Sequence, residues 1–102
     1  MNQPTPADFA GRAEILKALA HPTRLFLVDV LSRGELCVCE LTARVGSDIS
    51  TVSKHLSLLK TAGILQDRKE GLKVFYRLKC TCVLGFFKCV EGVVLNNAGA
   101  RS

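Results

Sequence analysis

Residues 37–63 of the chain read CVCELTARVGSDISTVSKHLSLLKTAG, and this stretch decides the fold. Its apolar spacing predicts a short helix over about Cys37–Val45, which Gly46 ends. Asp48 then caps a second helix over Ile49–Ala62. Two short helices joined by a glycine-containing turn are typical of a helix-turn-helix. We therefore expect this unit to lie at the centre of the molecule.

The second of these helices has two unlike faces. Its apolar stripe, which we expect to face the core, consists of Ile49, Val52, Leu56 and Leu59. The opposite face is polar or basic and consists of Ser50, Thr51, Ser53, Lys54 and Ser57. Small hydroxyls and a long basic side chain suit close approach to base edges and phosphates, so this face is predicted to read DNA. His55 follows this face and is predicted to contact a phosphate or a partner within the fold.

A β-hairpin is predicted directly after this helix. Residues 64–69 and 72–78 read as two strands around Glu70-Gly71, with apolar and polar residues alternating along the second strand. Gly71 allows the positive φ of a tight turn. A charged hairpin that follows a recognition helix is a DNA-binding wing. Its predicted phosphate contacts are Arg68, Lys69 and Lys73.

The basic charge of the chain is concentrated in the same unit. The formal net charge is +5 over 102 residues. Residues 54–79 contain seven basic and two acidic groups, whereas residues 1–53 contain five basic and six acidic groups. Such a concentration is typical of nucleic-acid binding, and a solvated basic face is the alternative interpretation.

Three further helices complete the predicted architecture. Thr5-Pro6-Ala7-Asp8 begins a first helix that runs to about Ala20. The next helix, over Thr23–Arg33, is apolar nearly all round and is expected to be buried. The last helix spans about Thr81–Leu95 and has more apolar surface than a terminal helix leaves in water. We expect a second subunit to cover it together with the first helix.

The predicted fold is therefore mainly α with a β-hairpin, a winged helix-turn-helix that forms a homodimer. One domain is expected over residues 1–95, followed by a disordered tail at 96–102. The N-terminus lacks the features of a signal peptide, and no apolar run reaches the roughly 18 residues of a membrane span. We expect a cytoplasmic protein with no membrane partner. No catalytic triad, carboxylate pair or phosphate-binding glycine loop is visible, so an enzyme is not expected.

Four of the five cysteines form two Cys-x-Cys pairs. Cys37 and Cys39 begin the helix-turn-helix, Cys80 and Cys82 follow the wing, and Cys89 lies in the last helix. In a reducing cytosol, clustered thiols indicate metal binding or redox activity, and packing as small apolar side chains is the alternative. Residues two apart on a helix point about 200° apart. The first pair therefore binds one ion only if it precedes the first turn or if binding distorts that turn.

Three strings carry a resemblance to a known family: GELCVCEL at 34–41, TVSKHLxxL at 51–59 and DRKEGxKxxYRL at 67–78. They resemble the ArsR/SmtB family of metalloregulatory repressors, over roughly residues 8–95. The resemblance implies a homodimeric winged helix that represses a metal- or metalloid-resistance operon. It also implies release of double-stranded operator DNA when an inducer binds thiols. The two-fold symmetry of a dimer predicts a near-palindromic operator.

The chain departs from this family pattern in one informative place. Arsenite sensors of the family often continue the string as Cys-x-Cys-x-x-Cys, whereas the third position here is Thr42. The family's cadmium/lead-type site adds N-terminal cysteines, and none precedes Cys37. Its zinc-type site uses His and Asp on the last helix, which here has no His.

We therefore predict arsenite or antimonite as the inducer, because soft thiolates select soft ions. The predicted ligands are Cys37, Cys39, Cys80, Cys82 and Cys89, with the third sulfur supplied by one of the last three. A cadmium, lead or mercury sensor that uses both pairs is one alternative. A thiol redox-sensing repressor is another.

Overall fold

The computed structural model describes residues 3–100. A 3₁₀ turn at Pro6–Phe9 leads into the elements, which are in chain order α1 (Ala10–Leu19), α2 (Pro22–Leu31), β1 (Leu36–Cys37), α3 (Val38–Val45), α4 (Ile49–Thr61), β2 (Leu65–Glu70), β3 (Lys73–Leu78) and α5 (Val83–Ala100). The predicted order of four helices, a hairpin and a fifth helix is confirmed. The short strand β1 is an addition that the sequence analysis did not contain.

Local side-chain caps explain where the helices begin. The backbone N–H of Thr5 donates to the Asp8 carboxylate at 2.7 Å, so the predicted start is correct, although its first turn is 3₁₀ rather than α. Asp48 caps α4 as predicted and accepts from the backbone N–H of Thr51 at 3.2 Å. Gly46 adopts φ +79°, the left-handed conformation that ends α3 and turns the chain into α4.

The three strands form one antiparallel sheet in the order β1-β3-β2. The predicted wing is the β2–β3 hairpin, paired from Leu65↔Leu78 to Glu70↔Lys73. On the other side of β3, the register pairs Cys37 with Phe75. The residues that lead into α3 are therefore hydrogen-bonded to the wing.

The core lies between α1, α2, α3, α4 and the base of the sheet. Three of the four residues predicted for the apolar stripe of α4 are fully buried, namely Val52, Leu56 and Leu59. The prediction for Ile49 is wrong, because this first residue of α4 lies beyond the core and is 56% exposed. The expectation that α2 is buried all round is also wrong, since Leu25 and Phe26 are exposed.

Helix α5 differs from the prediction at both ends. It begins at Val83 instead of Thr81 and continues to Ala100, so residues 96–100, expected in a disordered tail, are helical. Residues 101–102 of that tail lie outside the described residues. Val83 and Phe87 pack against the core, whereas Val93, Val94 and Leu95 are about three-fifths exposed.

The shape of the chain reflects this helix. The radius of gyration is 16.1 Å, whereas a compact domain of this size has about 13 Å. No helix within residues 3–100 has both the length and the hydropathy that a membrane span requires.

Candidate nucleic-acid interface and thiol sites

The polar face of α4 is organised around Asp48. The hydroxyls of Ser50 and Thr51 both donate to its carboxylate, Thr51 at 2.7 Å. These two hydroxyls, followed by the backbone N–H of Thr51, lower the pKa of Asp48 to about 2. Lys54 is exposed on the same side of the helix, and Ser53 is half-buried. The predicted base-reading hydroxyls of Ser50 and Thr51 are thus held at the N-terminus of α4 before any DNA is bound.

His55 lies at the edge of this face and is half-buried. Its Nδ1 is 3.3 Å from the guanidinium of Arg24, and its ring centroid is 4.5 Å from that of His21. Burial, followed by the charges of His21 and Arg24, lowers the pKa of His55. Arg24 also donates to the carbonyl of Ala18 at 2.6 Å. His55 is therefore a partner within the fold that joins α4 to α2, and its phosphate contact stays a prediction.

Arg68 lies on the wing, where its side chain is about half exposed and is paired with two carboxylates. Its Nε and Nη2 donate to one oxygen of Glu35 at 2.9 and 2.6 Å, and its Nη1 donates to Glu70 at 2.8 Å. The guanidinium lies 4.5 Å from the centroid of the Phe75 ring. These two carboxylates raise the pKa of Arg68 above its usual value. The side chain thus braces β2 against the segment before β1.

Two other basic residues of the wing present their side chains to solvent. Lys69 and Lys73 are exposed, and the charge of Lys73 helps to lower the pKa of Glu40 on α3. A further ion pair, Lys60 to Asp67 at 3.0 Å, joins α4 to β2. The Lys60–Asp67 ion pair therefore connects the helix-turn-helix to the wing in addition to the chain itself.

Cys37 and Cys39 have different environments. Cys37 is 4% exposed and occupies the N-cap of α3 with extended φ and ψ, while Cys39 is exposed in the first turn. The backbone N–H of Cys37 donates to Glu40 at 3.2 Å. The hydrogen bond from the Cys37 side chain is the largest cause of the lowered pKa of Glu40. Cys37 precedes the first turn but Cys39 lies within it, so the structure does not have the geometry in which both cysteines precede that turn.

Cys80 and Cys82 lie in the loop between β3 and α5. A hydrogen bond between the two thiols lowers the pKa of Cys80 and raises the pKa of Cys82. Both line a groove between α1 and α5. Cys89 is exposed one to two turns into α5.

The two pairs lie towards opposite ends of β3. Cys37 is the register partner of Phe75, and the three residues from there to Leu78 span about 10 Å before Cys80 follows. Within residues 3–100, no three side chains of the His, Cys, Asp or Glu type come together as a metal site. One protomer therefore does not assemble a three-sulfur site in this conformation.

An apolar groove of about 510 Å³ runs between α1, α2 and α5. Leu16 and Leu25 contribute one wall, and Phe86, Val90 and Val94 contribute the other. These five side chains are between 40% and 60% exposed. We call this surface the α1–α5 face.

Comparison with known proteins assigns the family. Residues 21–67 match the model of the arsR family of bacterial regulatory proteins. A homodimeric winged helix-turn-helix DNA-binding domain from Mycobacterium bovis, described as a possible ArsR-family transcriptional regulator, is 31% identical. It superimposes with a TM-score of 0.75 over 92% of this chain and 90% of its own. The chain belongs to the arsR family. The predicted family and winged helix-turn-helix fold are confirmed.

Other relatives are named for different metals or metalloids. The arsenical resistance operon repressor of Escherichia coli is 47% identical over 64% of this chain, and a cadmium resistance regulatory protein homolog of Staphylococcus aureus is 48% identical over 65%. An antimony-specific transcriptional repressor is 32% identical over the whole chain and 91% of its own, with a TM-score of 0.75. This arsR-family chain spans only 56% and 55% of the two curated relatives. The relatives are transcriptional regulators, so the prediction that the chain is not an enzyme is confirmed.

Two features of the site were missed by sequence reasoning. One is β1, whose two residues are too few to show the alternation of a strand. The other is the ion pair between Glu35 and Arg68, which joins residues 33 positions apart. Only the position of Glu35 next to the Cys-x-Cys string hinted that this segment is more than a loop.

Proposed function

We propose that the chain is a homodimeric, metalloid-responsive transcriptional repressor of the cytoplasm. It binds operator DNA through α3, α4 and the wing, and trivalent arsenic or antimony releases it by binding cysteine thiolates. Cys37 and Cys39 are the proposed inducer ligands, whichever group supplies the third ligand. Arsenic and antimony in the names of relatives support the choice of ion.

The observation that carries the proposal is the position of Cys37. It is at once the N-cap of α3 and the register partner of Phe75 in the wing. Glu35, two residues earlier, holds Arg68 at 2.6 Å. A ligand that pulls on the Cys37 sulfur therefore acts on the start of the helix-turn-helix and on the wing together.

The energy required for release is modest. Loss of a helix N-cap costs roughly 1 kcal/mol, and there are two such caps in a dimer. A ligand needs to favour the DNA-free conformation by only about 3 kcal/mol to weaken operator binding by about a hundredfold. Cys39 is exposed and meets an incoming ion first, after which Cys37 must leave its buried position to complete the bond.

The donor set suits a thiophilic ion, although one protomer supplies only two sulfurs at this place. Thr42 does not add a ligand here, since its hydroxyl donates to the carbonyl of Val38 at 2.7 Å. The third coordination position of the bound arsenic or antimony is open to a solvent hydroxyl or to a cysteine of the second subunit. A variant with Cys80→Ser, Cys82→Ser and Cys89→Ser decides between them, because full arsenite response in that variant assigns the third position to solvent.

DNA binding is proposed to use the exposed basic side chains. Lys54, Lys69 and Lys73 contact phosphates, while Ser50, Thr51 and Ser53 approach bases. Arg68 supports the wing through its pairs with Glu35 and Glu70 instead of contacting DNA, because both edges of its guanidinium are occupied by carboxylates. His55 acts through its contact with Arg24.

Homodimerisation is proposed to use the α1–α5 face. The face is apolar and exposed, and patches of this kind mark protein contacts. The M. bovis relative is a homodimer, and its match covers 92% of this chain.

The test uses a duplex that the protein itself selects from a random library, labelled for fluorescence anisotropy. We expect arsenite to release the wild-type chain. Cys37→Ser and Cys39→Ser should bind the duplex normally, since serine is a good N-cap, but should not be released by arsenite. Normal arsenite release of the Cys37→Ser/Cys39→Ser double variant would refute the proposal.

A cadmium-responsive repressor is the second candidate, and the S. aureus relative favours it. The same assay distinguishes the two ions. Release by cadmium and none by arsenite would replace the leading proposal with this one. Release by peroxide alone would indicate the redox-sensing alternative.

A further inference from the structure

Arg24 joins three helices through its guanidinium group. From the first turn of α2, its Nε donates to the carbonyl of Ala18 at 2.6 Å and its Nη2 donates to the carbonyl of Lys17 at 3.3 Å. Both carbonyls belong to the last turn of α1, where backbone acceptors lack partners within the helix. Its Nη1 lies 3.3 Å from Nδ1 of His55 on α4. One side chain of α2 thus holds the end of α1 and the middle of α4 together.

This geometry fixes the protonation state of His55. A guanidinium has only N–H donors, so the Nδ1 that faces Arg24 must accept, and the ring is neutral with its proton on Nε2. The neighbouring His21 is held in the same way, because its Nδ1 accepts from the backbone N–H of Thr23 at 3.1 Å. The centroids of the two rings are 4.5 Å apart. Each contact is lost when its ring gains a proton, since Nδ1 then becomes a donor.

The groups that face His55 oppose its protonation. Burial, followed by the charges of His21 before α2 and of Arg24 within it, lowers the pKa of His55. On α1, Glu14 and Lys17 line a groove together with Arg24 and carry opposite charges. Because the pKa is lowered, the contribution of this contact to stability is complete above the ordinary value of 6.5 and is lost as the pH falls below it.

We propose that Arg24 is a positioning residue for operator binding, and that protonation of His55 breaks its link to α4 and weakens operator binding in acid. Helix α1 contributes Leu16 to the α1–α5 face, whereas α4 carries the proposed base-reading residues. The link therefore sets the orientation of the recognition helix relative to the surface through which two protomers are proposed to associate. This role rests on the DNA binding by α4 that is part of the proposed function, but not on its inducer.

The sign of the pH dependence distinguishes this role from a phosphate contact. If His55 contacted a phosphate, its protonation would strengthen DNA binding in acid, because the interface would gain a positive charge. A positioning role predicts the opposite change. The chain contains only two histidines, His21 and His55, so no histidine outside this cluster contributes to the pH dependence.

The experiment uses the full chain and the duplex selected for the anisotropy assay, at constant salt. Between about pH 7.5 and about pH 5.5, where histidine titrates, we expect the affinity of the wild-type chain to fall by about tenfold. Circular dichroism and sedimentation should show the same folded dimer at both pH values. His55→Asn keeps an acceptor for Arg24 but does not titrate, so its affinity should not fall in acid. His21→Asn, the matched control, keeps the N-cap acceptor of α2 and should respond as the wild type does.

A lysine variant tests the guanidinium itself. The ammonium of Arg24→Lys lacks the rigid fork that donates to two carbonyls and to His55 together. Its affinity at about pH 7.5 should be weaker by about tenfold and should lose its dependence on acid. Should this variant fail to fold, the two histidine variants decide alone.

Three results would overturn the proposal. The first is a wild-type affinity that rises or stays constant in acid. The second is a fall that persists in His55→Asn, and the third is a fall that accompanies unfolding or dissociation of the dimer. A wild-type chain that selects no duplex would overturn both this role and the proposed function, whereas failure of arsenite to release DNA would leave this role unaffected.

Discussion

The helices α4 and α5 use their apolar residues in opposite ways. In α4, Leu56 and Leu59 are completely buried in the core of the same protomer, and the polar residues face outwards. In α5, Val94 and Leu95 are about three-fifths exposed, although the helix is the more apolar of the two. The contrast indicates that α4 stabilises the protomer, and it supports our proposal that α5 packs against another chain.

The two Cys-x-Cys pairs differ in the same way as α4 and α5, one being buried in part and the other more exposed. The first pair lies at the start of the helix-turn-helix, with Cys37 buried within the fold. The second pair lies at the base of α5, where Cys82 is exposed and both thiols line a groove. The same Cys-x-Cys spacing therefore buries Cys37 within the fold at the start of α3, whereas it leaves Cys82 exposed at the base of α5.

A matched pair of leucines tests this contrast most strongly. Leu56→Ala should lower the free energy of unfolding by about 2–5 kcal/mol, because it leaves a cavity in the core. The same change at Leu95 should alter it by less than about 0.5 kcal/mol in dilute protein. Urea denaturation measures both values. Similar losses at the two positions would contradict the division between the helices.

A charge on α5 tests the dimer surface. Val94→Glu should weaken dimerisation by about a hundredfold in sedimentation, because a carboxylate would be buried among apolar side chains. Asn96→Glu is the control, since it introduces the same group about 200° around the helix. If the wild-type chain sediments as a monomer at micromolar concentration, α5 is not a dimer surface.

The salt dependence of DNA binding distinguishes the exposed Lys69 and Lys73 from Arg68, which is paired with two carboxylates. Lys69→Ala with Lys73→Ala should reduce the slope of log affinity against log salt by about 2, one for each lost phosphate contact. Arg68→Gln should leave that slope unchanged, because Glu35 and Glu70 already occupy Arg68. A lower slope for Arg68→Gln would identify Arg68 as a phosphate contact after all.

The smallest predicted effect is on the stability of the fold at acid pH. The pKa of Asp48 is lowered from 3.8 to about 2 by Ser50 and Thr51, so its contribution to stability is present above pH 4 and is lost as pH falls towards 2. Asp48→Asn should therefore unfold with a flatter dependence on pH between 4 and 2. Asp29→Asn, which removes an exposed ion pair with Arg33, should not change that dependence. Acid titration followed by circular dichroism measures both.

Local signals explain why much of the fold was predictable. Asp48, Gly46 and Gly71 each act within a few residues, so the ends of the helix-turn-helix and the turn of the wing could be read directly. The tail was predicted wrongly, because polar and small residues at 96–100 do not prevent a helix from continuing. Ile49 was assigned to the core because periodicity gives a direction around a helix but not the point at which the core ends.

The candidate site was predictable in its parts but not in their arrangement. The sequence identified five thiols and a basic segment, because residue type and spacing along the chain carry that information. Only the tertiary structure shows that Cys37 is the buried cap of α3 and that Arg68 is held by Glu35. It also shows that the two thiol pairs lie apart and that an apolar groove adjoins the second pair. The physical reason is that such contacts join residues distant in sequence, and they depend on how the helices and strands pack.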